Sequence, residues 1–231
     1  MDRGFTLAPK WLLALDCLQQ ADRAILVRSM RRLAVPARVS LFRQGDISDR
    51  LIVLDAGRVR IFQTSESGEE FTLGICVGGS TIGLAPLLLG AARNTSAETL
   101  DASSISVLDR TDFERFLQSM PSFGAGLARL LATMAIESFA HCGSLAQDSA
   151  RVRLGTTLLS LARRSDGEAA QQFAVSGITQ EDLARIVGVS RTWVALTLGL
   201  LEERGLIVKK KRLIAIPDME RLAGFVSEER V

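Results

Sequence analysis

Apolar positions change their period along this chain, and the changes mark out its parts. From residue 11 to 33 they follow helical spacing, with Leu12, Leu15, Leu18, Ile25 and Leu33 among polar neighbours, which predicts short helices leading to Pro36. Beyond Pro36 the runs are short and rich in β-branched residues: Val39-Ser40-Leu41-Phe42, Leu51-Ile52-Val53-Leu54, Val59-Arg60-Ile61-Phe62, Phe71-Thr72-Leu73 and Ile105-Ser106-Val107-Leu108. Gly45-Asp46, Ala56-Gly57, Ser67-Gly68 and Gly78-Gly79 punctuate them, so the reading is a series of short strands forming a small antiparallel barrel or roll. At Thr111, a helix-capping residue type, the helical period returns. A short helix to Ser119 is expected, then Pro121 at a first helical position, then a long helix from about Ser122 to Gln147.

Past a hinge at Asp148-Ser149, Ala150 to Arg164 reads as another helix, Arg163 to Gln172 as a polar loop and Phe173-Ala174-Val175 as a strand. The stretch from Ile178 to Val194 carries the densest local signals. Thr179 offers a hydroxyl to the unpaired amides of a first helical turn, and Asp182 three residues on makes a weaker form of the capping box. Leu183, Ala184, Ile186 and Val187 form an apolar stripe, Gly188 can take the left-handed conformation that ends a helix, and Ser190 caps a second helix. Val194, Leu198, Leu200, Leu201 and Leu206 continue the stripe, and Gly205 closes the helix. Leu206-Ile207-Val208 and Leu213-Ile214-Ala215-Ile216 then read as two strands, with Lys209-Lys210-Lys211-Arg212 where a hairpin tip would meet phosphates. This is the pattern of a winged helix-turn-helix, whose second helix lies in a DNA major groove. An ordinary helical hairpin with a solvated charge run gives the same residues.

The long helix is apolar on more than one face, through Leu127, Leu130, Leu131, Met134, Ile136, Phe139 and Leu145. Such a helix packs on its own domain with one face and on a partner with the other, or is buried within one domain. A twofold DNA reader favours the first reading, with Leu127, Leu131, Met134 and Phe139 at a dimer seam.

Charge narrows the possibilities. The net charge of the 231 residues is only +2, so a nucleic-acid surface has to be local. Residues 150–231 hold 13 Lys/Arg against 10 Asp/Glu, which leaves 15 against 16 for the first 149 residues. Cys17, Cys76 and Cys142 are widely spaced with no CxxC pair, which points to neither a disulfide framework nor a zinc site and fits a reducing cytoplasm. The N-terminus has no apolar run of signal-peptide length. Phe71 to Ala92 is 22 residues without a charge, but Gly74, Gly78, Gly79, Gly83, Pro86 and Gly90 break it into buried strands and turns rather than a membrane span. HExxH, GxSxG and GxxxxGK[ST] are absent and there is one histidine, so an enzyme is not expected.

Roll, long helix, hinge and winged helix-turn-helix, in that order, resemble the CRP-FNR family of bacterial transcription regulators over nearly the whole chain. The residues that carry the resemblance are Pro36, Leu41-Phe42-Arg43-Gln44-Gly45-Asp46, Leu51 to Gly57 with Val59, and Ile178 to Leu206. The resemblance implies an α+β protein: an N-terminal antiparallel β-roll that is a cyclic-nucleotide-binding-like effector domain (1–120), a dimerisation helix and hinge (121–149), and a winged helix-turn-helix DNA-binding domain (150–231). It implies a homodimer on a palindromic operator, with double-stranded DNA and RNA polymerase as partners, a small effector, and no membrane. For DNA contact it points to Thr179, Ser190, Arg191, Thr192, Trp193, Ala195, Leu196, Lys209, Lys210, Lys211 and Arg212. Arg191 suits a bidentate contact to guanine. Where well-studied members place a glutamate and a second arginine, this chain has Thr192 and Leu196, so its operator should differ from theirs; Trp193 either covers the DNA backbone or packs inward.

For the effector, the resemblance points to Gly83, Leu84, Arg93, Asn94 and Thr95, with Ser138 and Phe139 from the long helix. Members that respond to cAMP run Gly-Glu-Leu and then Arg-Ser-Ala, the glutamate holding the ribose hydroxyl and the arginine the cyclic phosphate. Here Gly83-Leu84-Ala85 and Arg93-Asn94-Thr95 stand in those places. Leu84 cannot accept a hydrogen bond, a loss of about 1.5–3 kcal/mol or ten- to hundredfold in affinity. An effector other than cAMP, or effector-independent binding, is expected. Phe139 either shapes a nucleobase pocket or lies in the dimer seam. No cofactor is expected: Cys17 alone cannot ligate an iron–sulfur cluster, and His141 reads as a solvated helix-end residue rather than a haem ligand. A thiol sensor at Cys76 or Cys142 lacks neighbouring cations. The rival reading is a ligand-binding module whose C-terminal domain makes protein contacts.

Overall fold

The computed structural model describes residues 6–7, 16, 18–164, 173–211 and 213–230, the side chains at 6, 7, 140, 141, 144, 145 and 164 excepted. The chain divides into two compact units, with the roll and most of the long helix in one (Leu7–Phe139) and Ala140–Val231 in the other.

The elements that build the first unit run β1 (Thr6–Leu7), α1 (Gln20–Ser29), β2 (Arg31–Val35), β3 (Ser40–Phe42), β4 (Arg50–Ala56), β5 (Arg58–Thr64), β6 (Glu70–Val77), β7 (Thr81–Ile82), α2 (Leu84–Leu89), β8 (Ser96–Thr99), β9 (Ser103–Asp109), α3 (Arg110–Ser119) and α4 (Pro121–Gln147). Two sheets, in the orders β1-β6-β5-β8-β3 and β2-β9-β4-β7, make the roll. The two-residue period of β4 decides how the core divides. Ile52 and Leu54 point into the roll with Phe42, Val59, Cys76, Ile82, Ala97, Ile105 and Val107, whereas Leu51 and Val53 point the other way. There they meet Leu26, Leu84, Leu87, Leu108, Phe113, Phe116, Phe123, Leu127 and Leu130, so the helices are fastened to the outside of the roll by the back of its central strand. β4 is buried on both faces, which is why its sequence is continuously apolar rather than alternating.

Several expectations need correcting. The helix before Pro36 covers Gln20–Ser29, and Leu33 lies on β2, paired with Ile105 of β9; Leu12 and Leu15 fall outside the described residues. The uncharged stretch after Phe71 contains the helix α2 as well as strands, entered through Gly83 at φ 78° and left through Gly90 at φ 64°. Asp109, not Thr111, is the N-cap of α3, and its carboxylate is taken by Arg31 at 3.2 Å instead of the helix amides. Pro121 does open α4, as its missing amide allows. On α4, Leu127 is only 2% exposed and packs into its own unit's core, so it has no surface left for a dimer seam. Leu131 and Met134 pack partly on the same core, while Ile136 and Phe139 stand 70% and 77% exposed.

The second unit comprises α5 (Ala150–Leu161), β10 (Arg163–Arg164), β11 (Phe173–Ser176), α6 (Gln180–Val187), α7 (Arg191–Glu203), β12 (Val208–Lys210), β13 (Leu213–Ile216) and α8 (Met219–Glu228). Its sheet runs β10-β11-β13-β12. α5 ends at Leu161, short of the expected Arg164, and α8 is an element that apolar spacing did not announce. Gly155 lets these two helices approach closely, since an added Cβ would lie 2.4 Å from Val226 Cγ2.

Candidate nucleic-acid interface and effector site

The helix-turn-helix is held by local bonds. Thr179 Oγ accepts from the Asp182 amide at 3.1 Å and donates to its carboxylate at 2.7 Å, and that carboxylate also accepts from the Thr179 amide at 2.8 Å. With its proton spent inside this box, Thr179 serves as a cap and has none left to donate to a phosphate. α6 ends at Gly188, φ 74°, and the Val187 carbonyl accepts from Arg153 Nε at 3.1 Å, a cation placed where helix carbonyls are unpaired. The turn Gly188-Val189-Ser190 sets α7 at a bend of 103° to α6, the geometry that presents a second helix to a groove.

Ser190 Oγ accepts from the Trp193 amide at 3.1 Å, and its own proton remains available to a phosphate. Val194, Thr197, Leu198 and Leu201 are the buried side of α7. Arg191, Thr192 and Leu196 form the exposed side, with Ala195 and Trp193 half-buried beside them. The wing follows from the register Val208↔Ala215, Lys209↔Ile214, Lys210↔Leu213, which puts Lys211 at the tip; Arg212 lies outside the described residues. Lys209 is already engaged, its ammonium 2.9 Å from Glu202 and its amide donating to the same carboxylate at 2.7 Å. The amide bond, aided by the ammonium, holds the Glu202 carboxyl below its ordinary value. Lys209 therefore anchors the wing to the end of α7, and Lys210 and Lys211 are the exposed wing cations.

In the roll, the structure gathers the effector residues unevenly. Arg93 is 2% exposed: Nη1 donates to the Gly83 carbonyl at 3.0 Å, Nη2 to the Arg50 carbonyl at 2.7 Å, and the guanidinium lies 4.3 Å from the centre of the Phe42 ring. Burial pushes its pKa down, and its Nε has no hydrogen-bond partner among the described residues. Leu84 is a core residue of the cluster around Leu51 and Phe113, not a pocket wall. Asn94 is exposed, with its carbonyl accepting from Gln63, and Thr95 is half-buried. Ser138 donates to the Met134 carbonyl of its own helix, and Phe139 is exposed. Apolar and turn spacing missed Phe42 and Arg50, because the contacts of Arg93 come from segments far apart in sequence.

Cys76 is buried in the roll and its thiol pushed up to about 12 by desolvation, which removes it as a thiol sensor; Cys142 is exposed. Among the described residues no group of His, Cys, Asp or Glu could hold a metal ion, and no single helix is long and apolar enough to cross a membrane.

Gly83 sits where a side chain cannot. Its φ is 78°, and an added Cβ would fall 1.8 Å from Arg93 Nη1. Gly83→Ala is expected to cost about 2 kcal/mol through backbone strain and displacement of the guanidinium, lowering Tm by about 5 °C in thermal unfolding.

A roll with a buried arginine behind a short helix, followed in the chain by a winged helix-turn-helix, defines a DNA-binding regulator with a nucleotide-binding-type domain. Residues 32–120 match the family model of the cyclic nucleotide-binding domain, and residues 152–225 that of the Crp-like helix-turn-helix domain. The cyclic AMP receptor protein of Thermus thermophilus is 30% identical over 177 residues, 77% of this chain and 79% of that one. A CRP-like cAMP-activated global transcriptional regulator of Mycobacterium tuberculosis is 27% identical over 87% of this chain and 90% of its own. The chain belongs to the CRP-FNR family of transcription regulators. Its fold is also that of the c-di-GMP responsive global regulator CLP of Xanthomonas campestris, at a TM-score of 0.72 and 19% identity over 87% of this chain and all (100%) of that one. A CRP/FNR family transcriptional regulator from Thermus thermophilus gives a TM-score of 0.71 at 22% identity over 87% of this chain and 100% of its own.

Proposed function

We propose that this regulator is a cytoplasmic homodimer that binds a palindromic operator through Ser190 to Leu196, with Lys210 and Lys211 on the phosphates, and acts on transcription through RNA polymerase. The observation that carries the reading is the outward side of α7: a capped helix with an exposed arginine in its first turn, set at 103° to α6 and flanked by a wing of exposed lysines. The dimer rests on Ile136 and Phe139, whose apolar side chains on α4 stand exposed, uncovered by other described residues. Residues 1–120 serve as the effector domain, 121–149 as dimerisation helix and hinge, and 150–231 as the DNA-binding domain.

The effector is not cAMP, or the protein binds DNA without one. Leu84 stands in the core where cAMP-responsive members need a hydrogen-bond acceptor, and Arg93 is bonded to two backbone carbonyls instead of facing solvent. An anion that recruits Arg93 has to draw its guanidinium from those carbonyls. The test is selection of the purified, ligand-free protein against randomised duplex DNA at physiological salt. The expected result is an enriched palindrome with half-site centres about 10 base pairs apart. Enrichment only with a cell extract would show that an effector is obligatory, and enrichment under neither condition would overturn the reading.

A further inference from the structure

Beyond Arg191, the outward side of α7 is short of groups that read bases by hydrogen bonding. Thr192, Ala195, Leu196 and Gly199 follow one another along it, and of these only Thr192 carries a donor or acceptor in its side chain. Leu196 is 72% exposed in a helix whose leucines Leu198 and Leu201 are buried. Gly199, one turn further on, adds an independent sign. A glycine inside a helix costs about 1 kcal/mol relative to alanine, and an added Cβ here would meet nothing within 4 Å, so no packing among the described residues asks for it. What its lack of a side chain permits is close approach of the helix backbone to something outside.

We infer that Leu196, with the methyl of Thr192 beside it and Gly199 admitting the helix to the groove, reads thymine 5-methyl groups, so that each half-site is specified by a guanine contact from Arg191 next to an apolar contact with thymine. The inference rests on α7 being the helix that enters the major groove. The major groove edge of DNA offers one methyl group, that of thymine; cytosine has only a small C–H in its place, and the neighbouring edge atoms of the other bases are polar donors and acceptors. Leu196 against the methyl buries apolar surface on both sides. Against a cytosine amine or a guanine oxygen it strips water from a polar group and returns no hydrogen bond, so the same side chain favours thymine and disfavours the alternatives. The occupant is DNA and not a protein because the positions flanking this apolar strip are cationic: Arg191 at its head, and Lys210 and Lys211 exposed on the wing.

Deoxyuracil differs from thymine by that methyl alone, which makes the test atomic. In the operator recovered by selection, thymines are replaced by deoxyuracil one position at a time in both half-sites, and binding is measured with the full-length wild type and with Leu196→Ala. Losing one buried methyl costs about fourfold per half-site, and therefore about tenfold or more when both halves are changed. The wild type is expected to show that loss at one or two positions near the Arg191 contact. Leu196→Ala is expected to bind the thymine duplex correspondingly weaker and to be indifferent to deoxyuracil there. An enriched operator that tolerates deoxyuracil everywhere, or equal sensitivity in Leu196→Ala, overturns the methyl reading and leaves α7 as the recognition helix. A selection without any enriched operator overturns the helix assignment itself, and this inference with it.

Discussion

Arg191→Ala is expected to remove discrimination at one base pair per half-site while leaving discrimination at the other positions, and Lys210→Ala to weaken every duplex by a similar factor. The difference follows from what each side chain can touch. Arg191 opens α7 immediately after the Ser190 cap, which on the proposed reading is the helix end that would enter the groove first. A bidentate contact with the two acceptors of guanine is worth about 1–3 kcal/mol of discrimination, about five- to over a hundredfold per half-site. Lys210 lies on β12, opposite Leu213, in the arm of a hairpin whose cations, on the proposed reading, would meet phosphates that look alike at every base pair. Its loss should reduce the slope of log affinity against log salt by about one per chain, whereas Arg191→Ala should leave the guanine preference, not the slope, as the main casualty. Lys209→Ala separates a third role. Because Lys209 is bound to Glu202 through both amide and ammonium, its replacement loosens the wing and should change the slope less than Lys210→Ala does. Binding of the selected operator against single-base variants, at several salt concentrations, checks all of these; equal effects of Arg191→Ala on all sequences would sink the direct-readout assignment.

The helix-turn-helix was legible in the chain because its signals are local. Thr179 and Asp182 find each other three residues apart, and Gly188 and Ser190 take their roles from backbone conformation alone, so adjacent residues suffice to place both helices. Other features depend on segments that meet only in three dimensions. β8 escapes a reading by apolar pattern because two of its three buried residues, Ser96 and Thr99, are hydroxylic and the third is Ala97: Thr99 Oγ1 donates to the Pro36 carbonyl at 2.8 Å and accepts from the Val39 amide at 2.9 Å, satisfying a buried corner with no apolar signature. Leu33 fits a helix on spacing alone, since a lone apolar residue suits either period, and pairing with β9 settles it. The two faces of α4 are visible in the sequence, but not which is inward; the first unit's core claims Phe123, Leu127 and Leu130 and leaves Ile136 and Phe139 outside. The direction of Arg93 is likewise set by carbonyls at Gly83 and Arg50, ten and 43 residues away.

Restoring the acceptor that cAMP-responsive relatives carry should therefore fail here. Leu84→Glu is expected to destabilise the protein by about 3–5 kcal/mol, a fall in Tm of about 10 °C, and not to create a cAMP site. Leu84 packs in one cluster with Leu51, Leu87, Leu108 and Phe113, so the glutamate would be buried among apolar side chains, and Arg93, the cation that reaches neighbouring Gly83, is already bonded to two backbone carbonyls. The sign of its pH dependence follows. A carboxyl in such surroundings has its folded-state pKa raised above the unfolded one, so the folded protein binds more protons and stability declines as pH rises. The deficit of the variant should then shrink in acid relative to neutral pH, a trend opposite to that of a carboxylate paired with an arginine. Thermal unfolding of wild type and variant across that range, with and without cAMP, decides the matter. A variant that melts with the wild type and is stabilised by cAMP would mean that Leu84 can turn outward and that a single side chain separates this regulator from its cAMP-responsive relatives. A cold-shifted, nucleotide-blind variant would mean that the whole wall around α2 has been rebuilt as core, and that whatever controls this protein is recognised by a different set of contacts.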